Sequence, residues 1–335
     1  MAEIAHIVLT KEIHKAAIMA KPNVVGIGAG YRRVRGKRTR EVCIVTLVTT
    51  KLPRTALSAE ALVPRELDGI PTDVLEVGEI RAYLTPKDRW RPAPAGVSIG
   101  HHKITAGTLG FVVRDRVTGA RLILSNNHVL ANSNDAQIGD PILQPGPADG
   151  GVTGKDTIAT LERFQPIRYT NEPGTCNLAN VYAVIGNTLA KLFGSKHQLE
   201  AMRIDTTATN TIDAALARPV NDADVLDEIM VIGNIAGTEV ATLGMKVRKS
   251  GRTTGYTDGE VLVLDTTVDV SYGTDRVARF EEQIVAGRMS EGGDSGSLVV
   301  TGAPPKAVGL LFAGSDQTTV MNPIQMVLDA LEVTL

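Results

Sequence analysis

Arg288-Met-Ser-Glu-Gly-Gly-Asp-Ser-Gly-Ser-Leu298 places one serine, Ser295, behind an acid and between two glycines, just ahead of an apolar run. That run, Leu298 to Val300, reads as a strand, so the serine sits on a turn leading into a sheet. A hydroxyl there attacks an acyl carbon only if a base takes its proton and nearby donors hold the oxyanion that develops. Glycine at 293 and 296 permits the tight turn that would aim the N–H groups of Gly293 and Ser295 at one point. The stretch therefore predicts a nucleophile on a β scaffold and directs the search toward a base.

The base is found upstream, in Leu122-Ile-Leu-Ser-Asn-Asn-His-Val-Leu130, where a strand-like apolar run ends in a polar turn carrying His128. The other histidines (His6, His14, His101, His102 and His197) lack this strand-then-turn setting. An α/β-hydrolase order needs a histidine after the nucleophile and a glycine two positions beyond it; here no histidine follows Ser295 and that position is Ser297. A subtilisin-like order needs an acid before His128. Asp115 is the candidate, but it sits between Arg114 and Arg116 in a predicted turn.

Taken together, Asn127-His128, Asp213-Ala-Ala-Leu216, Gly251-Arg-Thr-Thr-Gly255 and Gly293-Asp-Ser-Gly296 resemble the signatures of the chymotrypsin-like (trypsin-type) serine peptidases, over residues 97–335. More narrowly, Gly69-Ile-Pro-Thr-Asp-Val74, Ala106-Gly-Thr-Leu-Gly110, Leu124-Ser-Asn-Asn-His-Val129 and Asp149-Gly-Gly151 resemble a two-domain prokaryotic group with plant narrow-leaf-type relatives. The resemblance implies a mainly β protein: a double β-barrel with a C-terminal helix, preceded by a small α/β N-terminal domain. It implies a serine endopeptidase acting on a peptide or protein substrate, with no cofactor and no metal, in a homo-oligomer like the plant relatives. Asp213 becomes the acid that orients His128, with Asp205 and Asp224 as the alternatives. Gly293 and Ser295 supply the oxyanion hole. Met289, six residues before the nucleophile, becomes the floor of the primary pocket, with Phe312 and Gly314 on the opposite wall, so a medium apolar side chain is expected there.

Two positions depart from the family pattern. Ser297 stands where the second glycine of Gly-Asp-Ser-Gly-Gly is usual. Asp294 matches an acid that pairs with a newly made amino terminus in zymogen-activated relatives. Here either an internal cation serves, or cleavage before Val97-Ser-Ile-Gly100 makes a terminus. The function from another class that fits the chain is a catalytically silent peptide-binding or scaffold protein on the same fold.

The chain's 335 residues allow two domains, and 43% apolar against 21% charged residues describe a globular protein. Lys and Arg total 35 against 37 Asp and Glu, so no global field favours nucleic acid or an anionic membrane. Only Cys43 and Cys176 are present, which excludes a disulfide framework. With no signal-like apolar core and no apolar run near 18 residues, cytoplasmic residence and no membrane association are expected.

Residues 1–92 read as the small α/β domain, with an assembly or regulatory role: a helix over 10–20, a hairpin of 24–34 and 41–49, a helix-like segment over 57–62 and a strand over 70–77. Gly26-Ile-Gly-Ala-Gly30 is followed by no helical pattern, which removes a nucleotide loop. The hairpin tip, residues 31–40, carries six basic residues and no acid, a candidate surface for phosphate or an acidic partner. Arg89-Trp-Arg-Pro-Ala-Pro-Ala95 reads as the connector. Beyond it, short strands dominate, interrupted by an amphipathic helix near 175–194 and ended by a helix that Asn322 caps and Pro323 begins.

Overall fold

A computed structural model describes residues 2–78, 80, 84–273 and 275–335. The chain divides into two compact units, Met1–Tyr83 and Leu84–Leu335. In the first, helix α1 (Ala2–Met19) is followed by strands β1 (Val24–Val34), β2 (Lys37–Val48), β3 (Glu66–Leu67) and β4 (Ile70–Glu76), in the sheet order β1-β2-β4-β3. β1 and β2 form the expected hairpin, and β4 runs parallel to β2. Residues 57–62 hold no helix; a single 3-10 turn at Arg54–Ala56 precedes them, because Pro53 and Pro64 bracket a stretch with no apolar period. At the hairpin tip Arg32 pairs with Glu41 at 3.0 Å and Arg38 lies over the Tyr31 ring.

The second unit begins before the Pro-rich segment, not after it. Trp90 N and Arg91 Nη1 donate to Gln144 Oε1, and Arg89 pairs with Asp156 at 3.0 Å. The prolines then feed β5 (Ala93–Ala95), buried and parallel to a later strand. In chain order follow β6 (Ser98–His101), β7 (Gly107–Thr108), β8 (Phe111–Asp115), β9 (Arg121–Ser125), helix α2 (Asn127–Leu130), β10 (Pro141–Leu143), β11 (Thr157–Phe164), β12 (Asn171–Pro173), helix α3 (Asn177–Leu192), β13 (Met202–Ile204), β14 (Ala215–Pro219), β15 (Val225–Ile229), β16 (Lys246–Gly251), β17 (Gly255–Ser271), β18 (Val277–Gly287), β19 (Leu298–Thr301), β20 (Lys306–Gly314), β21 (Thr318–Pro323), helix α4 (Ile324–Ala330) and β22 (Val333–Thr334).

These strands make two eight-stranded sheets, in the orders β22-β8-β9-β14-β11-β10-β6-β7 and β13-β12-β18-β17-β16-β19-β20-β21. In the second, a further pairing of β18 with β21 closes six strands into a barrel. With α4 at the end, the fold is the mainly β, chymotrypsin-like double barrel that the sequence implied. Short strands suit it because each buries one face in a barrel interior. Leu122, Ile123 and Leu124 of β9 and Leu216 of β14 are fully buried in the first core, while Val247, Val261, Met321 and Leu311 fill the second.

Two further elements differ from the sequence reading. The helix cap at the C-terminus is Pro323, and Asn322 stays in β21, fully buried. In α3 the apolar stripe forms as read, yet no residue of the helix is buried: Leu178, Tyr182, Ile185, Leu189 and Leu192 are all at least half exposed.

Candidate active site

The register of β9 against β14 brings the candidate base and acid together. Ser125 pairs with Ala215 in that antiparallel ladder, so residues just past one meet residues just before the other. His128, in the single turn of α2 that follows β9, therefore lies opposite Asp213. Its Nδ1 is 2.6 Å from Asp213 Oδ2, and its backbone N–H donates to Asp213 Oδ1 at 3.3 Å. Asp213 is fully buried and His128 is about one-fifth exposed, so the ion-pairing edge of the imidazole is dry and its other edge is open. The alternative acids are engaged elsewhere: Asp205 accepts from Thr207, Asp224 lies 3.8 Å from Arg91, and Asp115 pairs with Arg163 at 2.7 Å.

Three residues that the sequence did not single out hold Asp213. Asn126 Nδ2 donates to its carbonyl at 2.7 Å, and Asn322 Oδ1 accepts its backbone N–H at 3.0 Å. Tyr272, at the end of the β17–β18 hairpin, donates its hydroxyl to Asp213 Oδ2 at 2.7 Å. Burial and the neighbouring Asp213 charge push the Tyr272 hydroxyl well above its ordinary value, so it remains a donor. Asn322 was legible only as a helix cap; its true role depends on a partner far along the chain.

Ser295 stands on the loop before β19. Gly293 and Gly296 both have positive φ, 96° and 95°. A Cβ at 296 would meet Ser125 Oγ at 2.1 Å and Thr108 O at 2.3 Å, so the loop closes on the first barrel only with glycine there. Thr108 clamps that junction: its N–H donates to Ser295 O at 2.8 Å, its hydroxyl to Gly293 O at 2.9 Å, and its carbonyl accepts from Ser125 Oγ. Among the described residues, the N–H groups of Gly293 and Ser295 meet no protein acceptor. Two free donors on consecutive turns of one loop suit an anion held between them.

Ser295, His128, Phe312 and Gly314 line one cleft of about 810 Å³, with Lys103, Thr105 and Tyr272 on its rim. Phe312 falls at an irregularity of the β20–β21 ladder, between the pairs Leu311–Met321 and Ala313–Val320. Its carbonyl accepts the Ser295 hydroxyl at 3.3 Å, so Ser295 Oγ points there and not to His128. A second cavity of about 420 Å³ also reaches Ser295 and is lined by Arg288, Ser290, Glu291, Gly314, Ser315 and Asp316.

Met289 does not line that cavity, which corrects the expected pocket floor. Its side chain is 3% exposed and packs with Val247, Ile284 and Met321 in the core of the second barrel. In extended backbone, neighbouring side chains face opposite ways. Arg288 is exposed while Met289 points into the barrel, so an offset of one residue exchanges an apolar floor for a polar one.

The carboxylate of Asp294, beside Ser295, finds its cation inside the barrel. Lys249 Nζ lies 3.2 Å from Asp294 Oδ2, both side chains fully buried, and also donates to Thr254 Oγ1 and to Gly255 O. Asp294 accepts further bonds from the N–H groups of Thr253, Thr254 and Glu291 and from the Thr254 hydroxyl. Burial pushes the Asp294 carboxyl up, but the Lys249 charge and these donors outweigh it and hold the group below the usual carboxylate range. Val97, where cleavage was the alternative, is fully buried between β5 and β6. We expect Lys249→Met, which leaves a buried charge without its partner, to cost about 3–5 kcal/mol, read as a loss of roughly 10 °C in thermal unfolding. Adding Asp294→Leu should restore part of that stability; a Lys249→Met protein as stable as the wild type would show that the pair holds nothing.

No family model matches the chain, and no curated protein does. Among solved structures the chain is similar to a Nocardiopsis protease at 16% identity, covering 72% of this chain and 99% of that one with a TM-score of 0.45. Thermobifida fusca protease A gives 16% identity, 72% and 98% coverage and a TM-score of 0.45. A Cellulomonas bogoriensis chymotrypsin gives 17% identity, 72% and 96% coverage and a TM-score of 0.43. No helix among the described residues is long and apolar enough to cross a membrane.

Proposed function

We propose that the protein is a serine endopeptidase in which Ser295 attacks the peptide carbonyl, His128 takes and returns the proton, and Asp213 orients His128. What carries this reading is the dry Asp213–His128 hydrogen bond, opening on the same cleft that Ser295 lines. The free N–H groups of Gly293 and Ser295 receive the tetrahedral oxyanion. His128 then protonates the leaving amine, and water repeats the sequence to release the acyl group. We assign the first unit to assembly or regulation. The exposed apolar stripe of α3 is the surface through which a homo-oligomer would form.

One observation favours the scaffold alternative: the Ser295 hydroxyl is bonded to the Phe312 carbonyl instead of the base. A rotation about the Ser295 side chain turns it toward His128, and such contacts commonly tighten only when substrate binds. A fluorophosphonate probe separates the two readings. Labelling of the wild type that vanishes in Ser295→Ala supports the peptidase; an unlabelled wild type supports the scaffold.

The side chain accepted before the cut follows from the smaller cavity. Arg288 and Glu291 pair with each other at 3.0 Å, leaving Asp316 as a carboxylate without an ion-pair partner among the described residues. With the hydroxyls of Ser290 and Ser315 beside it, the lining favours polar or basic side chains over acidic ones. Because Asp316 is exposed, the preference should be modest, about 1 kcal/mol or a few-fold in kcat/KM. Asp316→Lys should reverse the order of Lys and Glu substrates in a peptide library; an unchanged order removes Asp316 from the pocket.

A further inference from the structure

Away from the cleft's floor, two imidazoles and a carboxylate converge where β6 ends and β10 begins. The antiparallel pairing of His101 with Ile142 sets Asp140 beside the end of β6, and His102 N donates to Pro141 O. Adjacent strand residues normally face opposite ways, but the chain turns at His102 and its ring lies against that of His101, with centroids 4.3 Å apart. One ligating atom from each of His101, His102 and Asp140 lies within 4.8 Å of the other two. His101 is fully buried, and Asp140 and His102 are partly open, which leaves a way in for a small ion.

One atom of this group is left over. Nδ1 of His102 is shielded from solvent and has no hydrogen-bond partner. Buried nitrogens of that kind normally find one, and a lone pair without a donor is what a cation takes up. We propose that His101, His102 and Asp140 bind a divalent cation of the zinc class, and that its binding moves the 103–105 strip lining the cleft. Two imidazoles and one carboxylate are a zinc-type donor set, with the fourth position left to water. Ligand atoms around such an ion stand about 3.3 Å apart, so the partly exposed His102 ring closes in by up to about 1.5 Å from the 4.8 Å limit. The cluster stands against the sequence expectation that no metal is bound: the two histidines sit together, but Asp140 joins them only through strand pairing.

The link to the cleft follows from proton positions on His101. The Lys103 N–H donates to His101 Nδ1 at 3.2 Å, and the opposite nitrogen, Nε2, lies 3.0 Å from Asp140 Oδ2. Because Nδ1 accepts that N–H, the proton of the neutral ring sits on Nε2, facing Asp140. A cation taken at Nε2 displaces that proton to Nδ1. Two N–H groups, those of His101 and Lys103, then face each other, and the contact opens. Lys103, Ile104 and Thr105, which follow directly, all line the cleft beside His128 and Ser295.

The test measures Zn²⁺ alone on the full chain, by metal content after removal of excess ion and by competition with a chromophoric chelator. The wild type should retain one equivalent. His102→Ala, at a partly exposed position, and the isosteric Asp140→Asn should each bind at least about tenfold more weakly, whereas His128→Ala should bind as the wild type does. Hydrogen exchange of the amides of residues 103–105 should change on adding Zn²⁺ to the wild type and stay constant in His102→Ala. A wild type that retains well under one equivalent, or a His102→Ala protein that binds normally, overturns the site. Stoichiometric binding with unchanged exchange at 103–105 overturns the coupling to the cleft. None of these readings depends on peptidase activity.

Discussion

Ser295→Ala and His128→Ala should each lower kcat/KM on a peptide substrate by about 10⁶-fold, and the double variant should be hardly slower than either single one. The reason lies in how the groups divide one event. Without the hydroxyl there is no nucleophile for His128 to activate, and without the imidazole the Ser295 proton has no destination, since its present partner, the Phe312 carbonyl, cannot accept it as a base. What survives is the pair of free N–H groups at Gly293 and Ser295, which still polarise a bound carbonyl. Steady-state kinetics of the three purified variants, each checked for an unchanged circular dichroism spectrum, measures this. Losses that multiply in the double variant would mean that the two residues act separately, and near-normal turnover in either single variant would remove the mechanism.

Asp213→Asn should preserve the fold while lowering turnover by about 10⁴-fold, the size known for the equivalent change in a well-studied serine peptidase. The surrounding hydrogen bonds determine which way the amide turns. Asp213 Oδ1 accepts the backbone N–H of His128, a donor that cannot reverse, so the oxygen of Asn stays there. The NH₂ group then occupies the place of Oδ2, facing His128 Nδ1, while the Tyr272 hydroxyl rotates to accept. With a donor opposite Nδ1, the imidazole carries its proton on Nε2, the nitrogen that should receive the proton of Ser295. The base is therefore present in the wrong tautomer. Turnover measured beside thermal unfolding gives the answer, and a rate within tenfold of the wild type would mean that Asp213 does not set the tautomer.

The glycine-flanked loop at Ser295 and the strand-then-turn at His128 were legible because each is announced by its own neighbours, whereas Asp213 was expected only through the family resemblance. Glycines at 293 and 296 permit the positive φ that the loop adopts there, and alternating or continuous apolar runs mark strands such as β9 and β19 within a few residues. The first unit's hairpin was legible for the same reason, and so was the second half of its helix, which begins at Ala2 instead of residue 10. The internal cation was legible only as a need: the sequence required a partner for Asp294, and nothing near it in the chain identified Lys249, which reaches it from β16.

What only the tertiary structure decided shares one physical feature, dependence on pairing between distant strands. The family resemblance implied Met289 as a pocket floor, but which face of the chain it occupies follows from how the chain leaves β18, and a single residue's offset reverses the face. Asn322, Tyr272 and Thr108 hold the site through bonds to residues they do not neighbour in the chain, and Asp140 reaches His101 and His102 only because β10 lies against β6. Local backbone preference is a property of a short window, so the sequence by itself determined the short strands of the second unit, the turns and the candidate site residues. Register is a property of two windows at once, selected by the burial of whole faces, and it alone decided which polar groups stand beside them.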